Sequence, residues 1–213
     1  KALPPSEMCY YETIFGDRPH KMYFDIDGGH ATPGEVFGCV RDVLRRTKAF
    51  IEGLGLPFDY SSNVLLFTSS DMTKQSYHIL IDGYFVANYK CARRFYDSLD
   101  IPENPFVDRS MYSSKQQFRL VGSHKLHSSR TKRYFEEWAI DGEEIHLETN
   151  NSLDLFKRSC VCNIEDCVEL PIEEKIQEFQ PINDIDISKI PKECLTEILE
   201  QYRLEDITGG LVK

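Results

Sequence analysis

Apolar and polar residues alternate along this chain in blocks of changing period, and the changes mark its elements. Cys9-Tyr10-Tyr11-Glu12-Thr13-Ile14-Phe15 predicts a short strand, and Gly16-Asp17-Arg18-Pro19 a turn after it. Met22-Tyr23-Phe24-Asp25-Ile26-Asp27 predicts a second strand, and a hairpin of the two is expected. Gly28-Gly29 ends it. Pro33 then opens a helix in which Val36, Phe37, Val40, Val43, Leu44, Phe50 and Ile51 recur at helical spacing, before Gly53 and Gly55 stop it. Residues 64–68 and 76–81 predict strands on either side of a Ser69-Ser70-Asp71 turn. A second helix is expected over about residues 85–99, a strand over 117–121 and a last strand over 145–148. Residues 163–190 read as a linker or weakly ordered segment, and 191–202 as a final helix. The class this predicts is α+β: an antiparallel sheet with helices on one side. A core over residues 1–150 would be followed by an acidic extension over 151–213.

The chemistry starts at Asp25 and Asp27. On a strand, residues i and i+2 share a face, so this spacing sets two carboxylates side by side at a strand end. Two carboxylates so close repel, and a hard divalent ion such as Mg²⁺ or Mn²⁺ is their natural partner. A strand end running into an Asp/Gly turn gives the same letters, so the pair alone decides nothing. Ser76 and His78 show the same i, i+2 spacing on their own strand, with Lys74 two residues before. A third isolated acid, Asp108, precedes a strand carrying Arg119 and then Lys125. Three carboxylates can hold two metal ions about 3.5–4 Å apart, and Lys, Arg, Ser and His can grip a triphosphate. This is an inventory for phosphoryl or nucleotidyl transfer, which needs positioning and charge neutralisation rather than a covalent nucleophile.

Net charge is −10, which argues against a nucleic-acid partner until its distribution is read. Residues 74–133 carry 11 basic and 5 acidic side chains, a local +6, whereas residues 134–213 carry 7 and 20, a local −13. A phosphate-binding middle is compatible with that local field. No apolar run approaches a transmembrane length, so no membrane partner is expected. Seven cysteines, an odd number and mostly isolated, suit a reducing intracellular compartment. The chain opens at Lys1, which reads as part of a longer polypeptide.

Taken together, the three segments resemble the three motifs of the archaeo-eukaryotic primase superfamily. The closer likeness is to eukaryotic primase-polymerases and to the primase parts of poxvirus-type primase–helicases. Tyr23-Phe24-Asp25-Ile26-Asp27 is similar to the first motif, Ser76-Tyr77-His78 with Lys74 to the second, and Asp108 to the third. Phe118-Arg119-Leu120 through Ser123-His124-Lys125 resembles the segment that follows, and Cys9-Tyr10-Tyr11-Glu12 the strand upstream. The likeness spans roughly residues 8–133. It implies a modified RNA-recognition-type sheet, with the acids at one end above its open face. It implies that Asp25, Asp27 and Asp108 are catalytic and bind Mg²⁺ or Mn²⁺ as a two-metal site. Lys74, Ser76, His78, Arg119 and Lys125 would bind the nucleotide. The partners implied are a single-stranded DNA template, an NTP or dNTP, and a helicase domain or other replication proteins, in the nucleus or at a viral replication site. Several departures stand out. Asp27 replaces the usual Glu, Gln116 stands where a second arginine is expected, the spacing from Asp27 to Asp108 is short, and little of a template-gripping module precedes the first motif.

Two rival functions remain open at this point. Asp25-Ile26-Asp27-Gly28 also fits a haloacid-dehalogenase-like phosphatase, although Gly29 follows and no late Asp-Asp pair is present. A non-catalytic nucleic-acid-binding module would keep the basic stretch without needing three acids. Cys160, Cys162 and Cys167 are three thiols where zinc needs four ligands, and they read as loop cysteines. His20, His30 and His146 read as solvated or structural, and His124 and His127 as neighbours of phosphate. Trp138 with Tyr134 and Phe135 reads as core. Arg130, Lys132 and Arg133 read as a solvated loop or a DNA-steering patch.

Overall fold

A computed structural model describes residues 7–101, 105–148 and 152–173 of the chain. The expected helix at 191–202 and most of the expected linker lie outside the described residues. In chain order the elements are β1 (Tyr11–Phe15), β2 (His20–Gly29), α1 (Pro33–Gly53), α2 (Tyr60–Asn63), β3 (Val64–Thr68), β4 (Gln75–Val86) and α3 (Tyr89–Ser98). A 3₁₀ turn (Arg109–Met111), β5 (Lys115–Arg119), β6 (Arg133–Tyr134), β7 (Glu137–Ile140), β8 (Glu143–His146), α4 (Ser152–Arg158) and β9 (Val168–Glu169) follow. No helix among the described residues is long and apolar enough to cross a membrane.

The central sheet has the order β2-β4-β3-β6, all antiparallel, with β9 running parallel beside the end of β4. Alternation divides its side chains between two faces. Met22, Phe24, Ile26, Leu66, Tyr77, Ile79 and Ile81 pack with Val36, Val40, Val43 and Leu44 of α1 and Phe95 of α3. Tyr23, Leu65, Phe67 and Leu80 pack on the opposite side with Ile14, Met111, Phe118, Leu155 and Val161. The mixed α+β class with an antiparallel sheet therefore stands. The second face is not open over its length, because a β1–β5 ribbon covers part of it.

The expected β1–β2 hairpin does not form. β1 pairs antiparallel with β5, and both edges of β2 are taken elsewhere. β4 occupies one edge; on the other, Asp27 N–H donates to Phe106 O (2.7 Å), Asp108 N–H to Asp25 O (2.9 Å) and Lys21 N–H to Val161 O (2.9 Å). The helix expected from residue 85 also starts later. Phe85 and Val86 are still strand, opposite Lys21 and His20. Gly83 lies at φ +81°, open to a residue without Cβ, and its bulge lets β4 resume beyond it. Asn88 then caps α3, its side chain accepting the N–H groups of Lys90 and Cys91.

Helix α1 begins where the sequence places it. Thr32 and Glu35 form a reciprocal capping box, and Pro33 fills the first turn. Gly28 lets it approach the sheet: a Cβ there would stand 2.1 Å from Val36 Cγ2. The strand expected at 145–148 is β8, and its partner β7, not anticipated, carries the buried Trp138. Residues 152–173, grouped by composition with the acidic extension, bury Leu170 in the cluster under α1 and Leu155 and Val161 in the cluster on the opposite face.

One charged network is buried among these layers. Lys21 Nζ lies 2.7 Å from Asp82 Oδ1 and donates to Arg158 O at 2.8 Å, while Arg158 Nε donates to Asp82 Oδ2 at 2.7 Å. It ties β2, β4 and the end of α4 together, and Lys21 is only 1% exposed. Removing Asp82 would strand that ammonium without its counter-charge. Asp82→Ala is expected to lower unfolding free energy by about 3–5 kcal/mol, read from urea denaturation. A loss below about 1 kcal/mol would mean the network contributes little.

Candidate active site

The pairing of β2 with β4 sets Asp25 opposite His78 and Asp27 opposite Ser76. All four side chains stand on the face that carries Tyr23 and Leu80, away from α1. Asp25 Oδ1 lies 3.3 Å from His78 Nε2. Asp27 is ion-paired with Lys74, and its Oδ1 accepts Gly29 N–H at 3.1 Å. Lys74 is carried by a tight turn in which Asp71 Oδ1 accepts the N–H groups of Thr73 (2.8 Å) and Lys74 (3.0 Å). Ser76 is fixed through its backbone, its N–H donating to Ser70 Oγ at 2.9 Å.

Asp108 comes from 81 residues further along than Asp27, yet the Ile26↔Val107 bridge and the bond to Asp25 O lay it beside the pair. Its side chain is exposed and accepts the Ser110 N–H (2.8 Å) and hydroxyl (2.7 Å). Gln116 braces the same turn through a 2.9 Å bond to Ser110 O. The three predicted acids are thus brought to one strand end. Each is engaged by a partner of its own, and among the described residues no group of three or more His, Cys, Asp or Glu is arranged to hold a metal as it stands. Their hard oxygen donors are the right chemistry for Mg²⁺ or Mn²⁺.

Arg119, the last residue of β5, points into the same layer. It is 4% exposed and donates to Ser69 Oγ and Arg130 O, both at 2.9 Å. Lys125 is exposed, near enough for its charge to act on Asp25.

Lys132 was not expected here. It is 2% exposed, lies between Phe67 (4.2 Å to the ring centroid) and Phe118 (3.8 Å), and donates to Arg119 O at 2.8 Å. Phe118 also faces the His78 ring at 4.8 Å. A basic run written Arg-Thr-Lys-Arg looks solvated, and only the i, i+2 spacing of Arg130 and Lys132 hints that they share a direction.

Elsewhere, His20 is structural, buried against Tyr23 with Nδ1 2.9 Å from Lys21 O. His146 is exposed near Glu137 and Glu144. His124 lies 3.4 Å from Cys9 Sγ. Cys162 is exposed, and its backbone N–H donates to Glu12 Oε1 at 2.7 Å.

The site is electrostatically uneven. Burial would raise the Asp25 pKa, but the hydrogen bond from His78 and the charges of Lys125 and Lys132 outweigh it and keep Asp25 ionised below the usual carboxylate value. Burial, reinforced by Lys132, pushes His78 down to about 4. A neutral His78 therefore donates Nε2–H to Asp25. Burial also lowers Lys132 well below an ordinary lysine, with Arg119 adding to the effect.

No family model matches the chain. It is similar to curated proteins of African swine fever virus that carry the name "Putative helicase/primase complex protein". Identity is 26% over 209 residues with one from a Kenyan pig isolate, covering 89% of this chain and 20% of the relative. It is 30% over 170 residues with that of the Badajoz strain, covering 65% of this chain and 16% of the relative. The chain thus spans a fifth or less of these relatives.

Buried His78 makes stability depend on pH. In the unfolded chain it protonates near its ordinary value of 6.5, in the folded chain near 4, so the unfolded state binds more protons between the two. Stability should fall by about 3 kcal/mol as pH drops through that window, measured by urea unfolding in EDTA. His20, also lowered by burial, acts in the same direction. His78→Gln should flatten the slope without abolishing it; an unchanged slope would remove His78 as its source.

Proposed function

We propose that this chain is the catalytic core of a template-directed nucleotidyltransferase, a DNA primase or primase-polymerase. The observation that carries the reading is the β2–β4 register. It sets Asp25 against His78 and Asp27 against Ser76, with Asp108 hydrogen-bonded onto the same strand. That is the order and placement expected if the three segments act as the three primase motifs. The name carried by the swine fever virus relatives supports it, and makes a helicase and other replication proteins the expected partners, at an intracellular replication site.

In the proposed reaction a primer 3′-hydroxyl, or that of an initiating nucleotide, attacks the α-phosphate of an incoming NTP or dNTP on a single-stranded DNA template. The new P–O bond forms, the bond between the α-phosphorus and the bridging oxygen breaks, pyrophosphate leaves, and the hydroxyl proton passes to water. Asp25, Asp27 and Asp108 would hold Mg²⁺ or Mn²⁺, which supplies charge neutralisation and a more acidic hydroxyl. His78 keeps Asp25 ionised and oriented. Lys74 and Arg119 offer fixed positive charge, Ser76 a hydroxyl and Lys125 a mobile cation to the triphosphate. The Asp-x-Asp phosphatase alternative gains nothing here. Open α/β sites of that architecture sit at the ends of parallel strands, whereas β2 pairs antiparallel with β4.

The test is primer synthesis and extension on single-stranded DNA with labelled nucleotides in Mg²⁺ or Mn²⁺. The parent should give template-dependent products that EDTA abolishes. Asp25→Ala and Asp108→Ala should each reduce the rate by at least about a thousandfold. Products that persist in both variants would detach the acids from the chemistry. Absence of product together with absence of nucleotide binding would overturn the reading.

A further inference from the structure

The strand-end site holds more positive charge than its neighbours neutralise. Arg119 and Lys132 are buried, and Arg130 lies between them and the turn that carries Lys74. The chain folds this way because Gly122 N–H donates to Lys132 O at 2.8 Å and Lys132 N–H to Ser123 O at 2.9 Å. Those bonds pin the 130–132 segment along the exit of β5. Asp71 is the acid paired with Arg130, at a loose 3.9 Å from Nε to Oδ2, and the other oxygen of Asp71 is committed to Thr73 and Lys74.

Two guanidinium nitrogens here are buried without a hydrogen-bond partner, Arg119 Nε and Arg130 Nη1. The Arg119 guanidinium itself donates to Arg130 O, so the orphan groups belong to touching residues. A buried N–H on a cation left unpaired costs free energy, and several in one place are what an anion site looks like before the anion arrives. Each terminal nitrogen of Arg119 already makes one bond within the protein, Nη1 to Arg130 O and Nη2 to Ser69 Oγ, whereas Nε makes none.

We propose that Arg130 is a phosphate-binding residue, forming with Arg119 a two-guanidinium clamp for the terminal phosphates of a polyphosphate ligand, beside Lys74 and Ser76. The proposal rests on the nucleotide-binding reading above and adds to it a residue from outside the three motif segments. The Arg119 Nε and Arg130 Nη1 N–H groups would each donate to a phosphate oxygen. Recognition of this kind discriminates by phosphate number. A monophosphate held at the acids would not reach the clamp, whereas a triphosphate would.

The test is equilibrium binding by calorimetry with Mg²⁺ present, using a non-hydrolysable NTP analogue, inorganic tripolyphosphate and a nucleoside monophosphate as probes. The variants are Arg130→Gln, Arg130→Lys and, as a control on the exposed side of α3, Arg93→Gln. Arg130→Gln should weaken the analogue and tripolyphosphate by about 10- to 100-fold and leave the monophosphate within about twofold. Arg130→Lys should recover part of the loss, since it keeps charge but not the fork. Arg93→Gln should bind as the parent does. Unchanged triphosphate binding in Arg130→Gln, or equal weakening for all three probes, would overturn the proposal. The Arg130→Lys result decides it in the same way if Arg130→Gln does not fold. The two readings fail separately. A parent that binds tripolyphosphate through Arg130 but makes no primer keeps the clamp and loses the polymerase. A parent that makes primer with Arg130→Gln binding unchanged does the reverse.

Discussion

Everything at the strand end depends on one register. β4 is the strand that both β2 and β3 pair with, and β2 lies against it with Phe24 facing Ile79 and Asp25 facing His78. Side chains on a strand alternate with period two, so a slip of β2 by one residue would turn its acids toward α1 and bring Phe24 out of the core. The apolar face of the sheet against α1 and α3 therefore fixes the polar face, and the hydrophobic effect positions carboxylates that it does not touch.

The second constraint is charge in a restricted space. Asp25, His78, Arg119 and Lys132 are packed between the sheet and the β1–β5 ribbon, with Phe118 in contact with both His78 and Lys132. Burial disfavours the charged form of each, and their mutual attractions recover part of what burial costs. What is left over is positive and short of hydrogen-bond acceptors. Such a site is less stable alone than with a negatively charged ligand, which is how binding groups are commonly held ready. The Lys21–Asp82–Arg158 network, at the other end of the sheet, is different: its donors and acceptors answer one another, and its place is structural.

Much of this was legible in the residues. Alternation around Asp25 and Asp27, and around Ser76 and His78, named the face each pair would share, because strand geometry leaves little choice. Pro33 and the helical spacing from Val36 onward gave α1 its start and its buried side. The mis-drawn hairpin and the early start of α3 have one cause. Local pattern reports that a strand exists, while its partner is chosen by long-range bonds such as Asp108 N–H to Asp25 O, and its end by a bulge such as that at Gly83.

By itself, then, the sequence determined which residues would be apolar on which face, where the long helix begins, and that three acids and a set of cations carry the candidate chemistry. Only the tertiary structure decided that Asp108 lies beside Asp25, that the second face is roofed by a ribbon of β1 with β5, and that Lys132 is buried while Arg130 sits with an unsatisfied nitrogen. The physical reason is separation along the chain. Periodicity governs neighbours a few residues apart, but burial and pairing depend on segments about a hundred residues apart, and those meet only when the core closes.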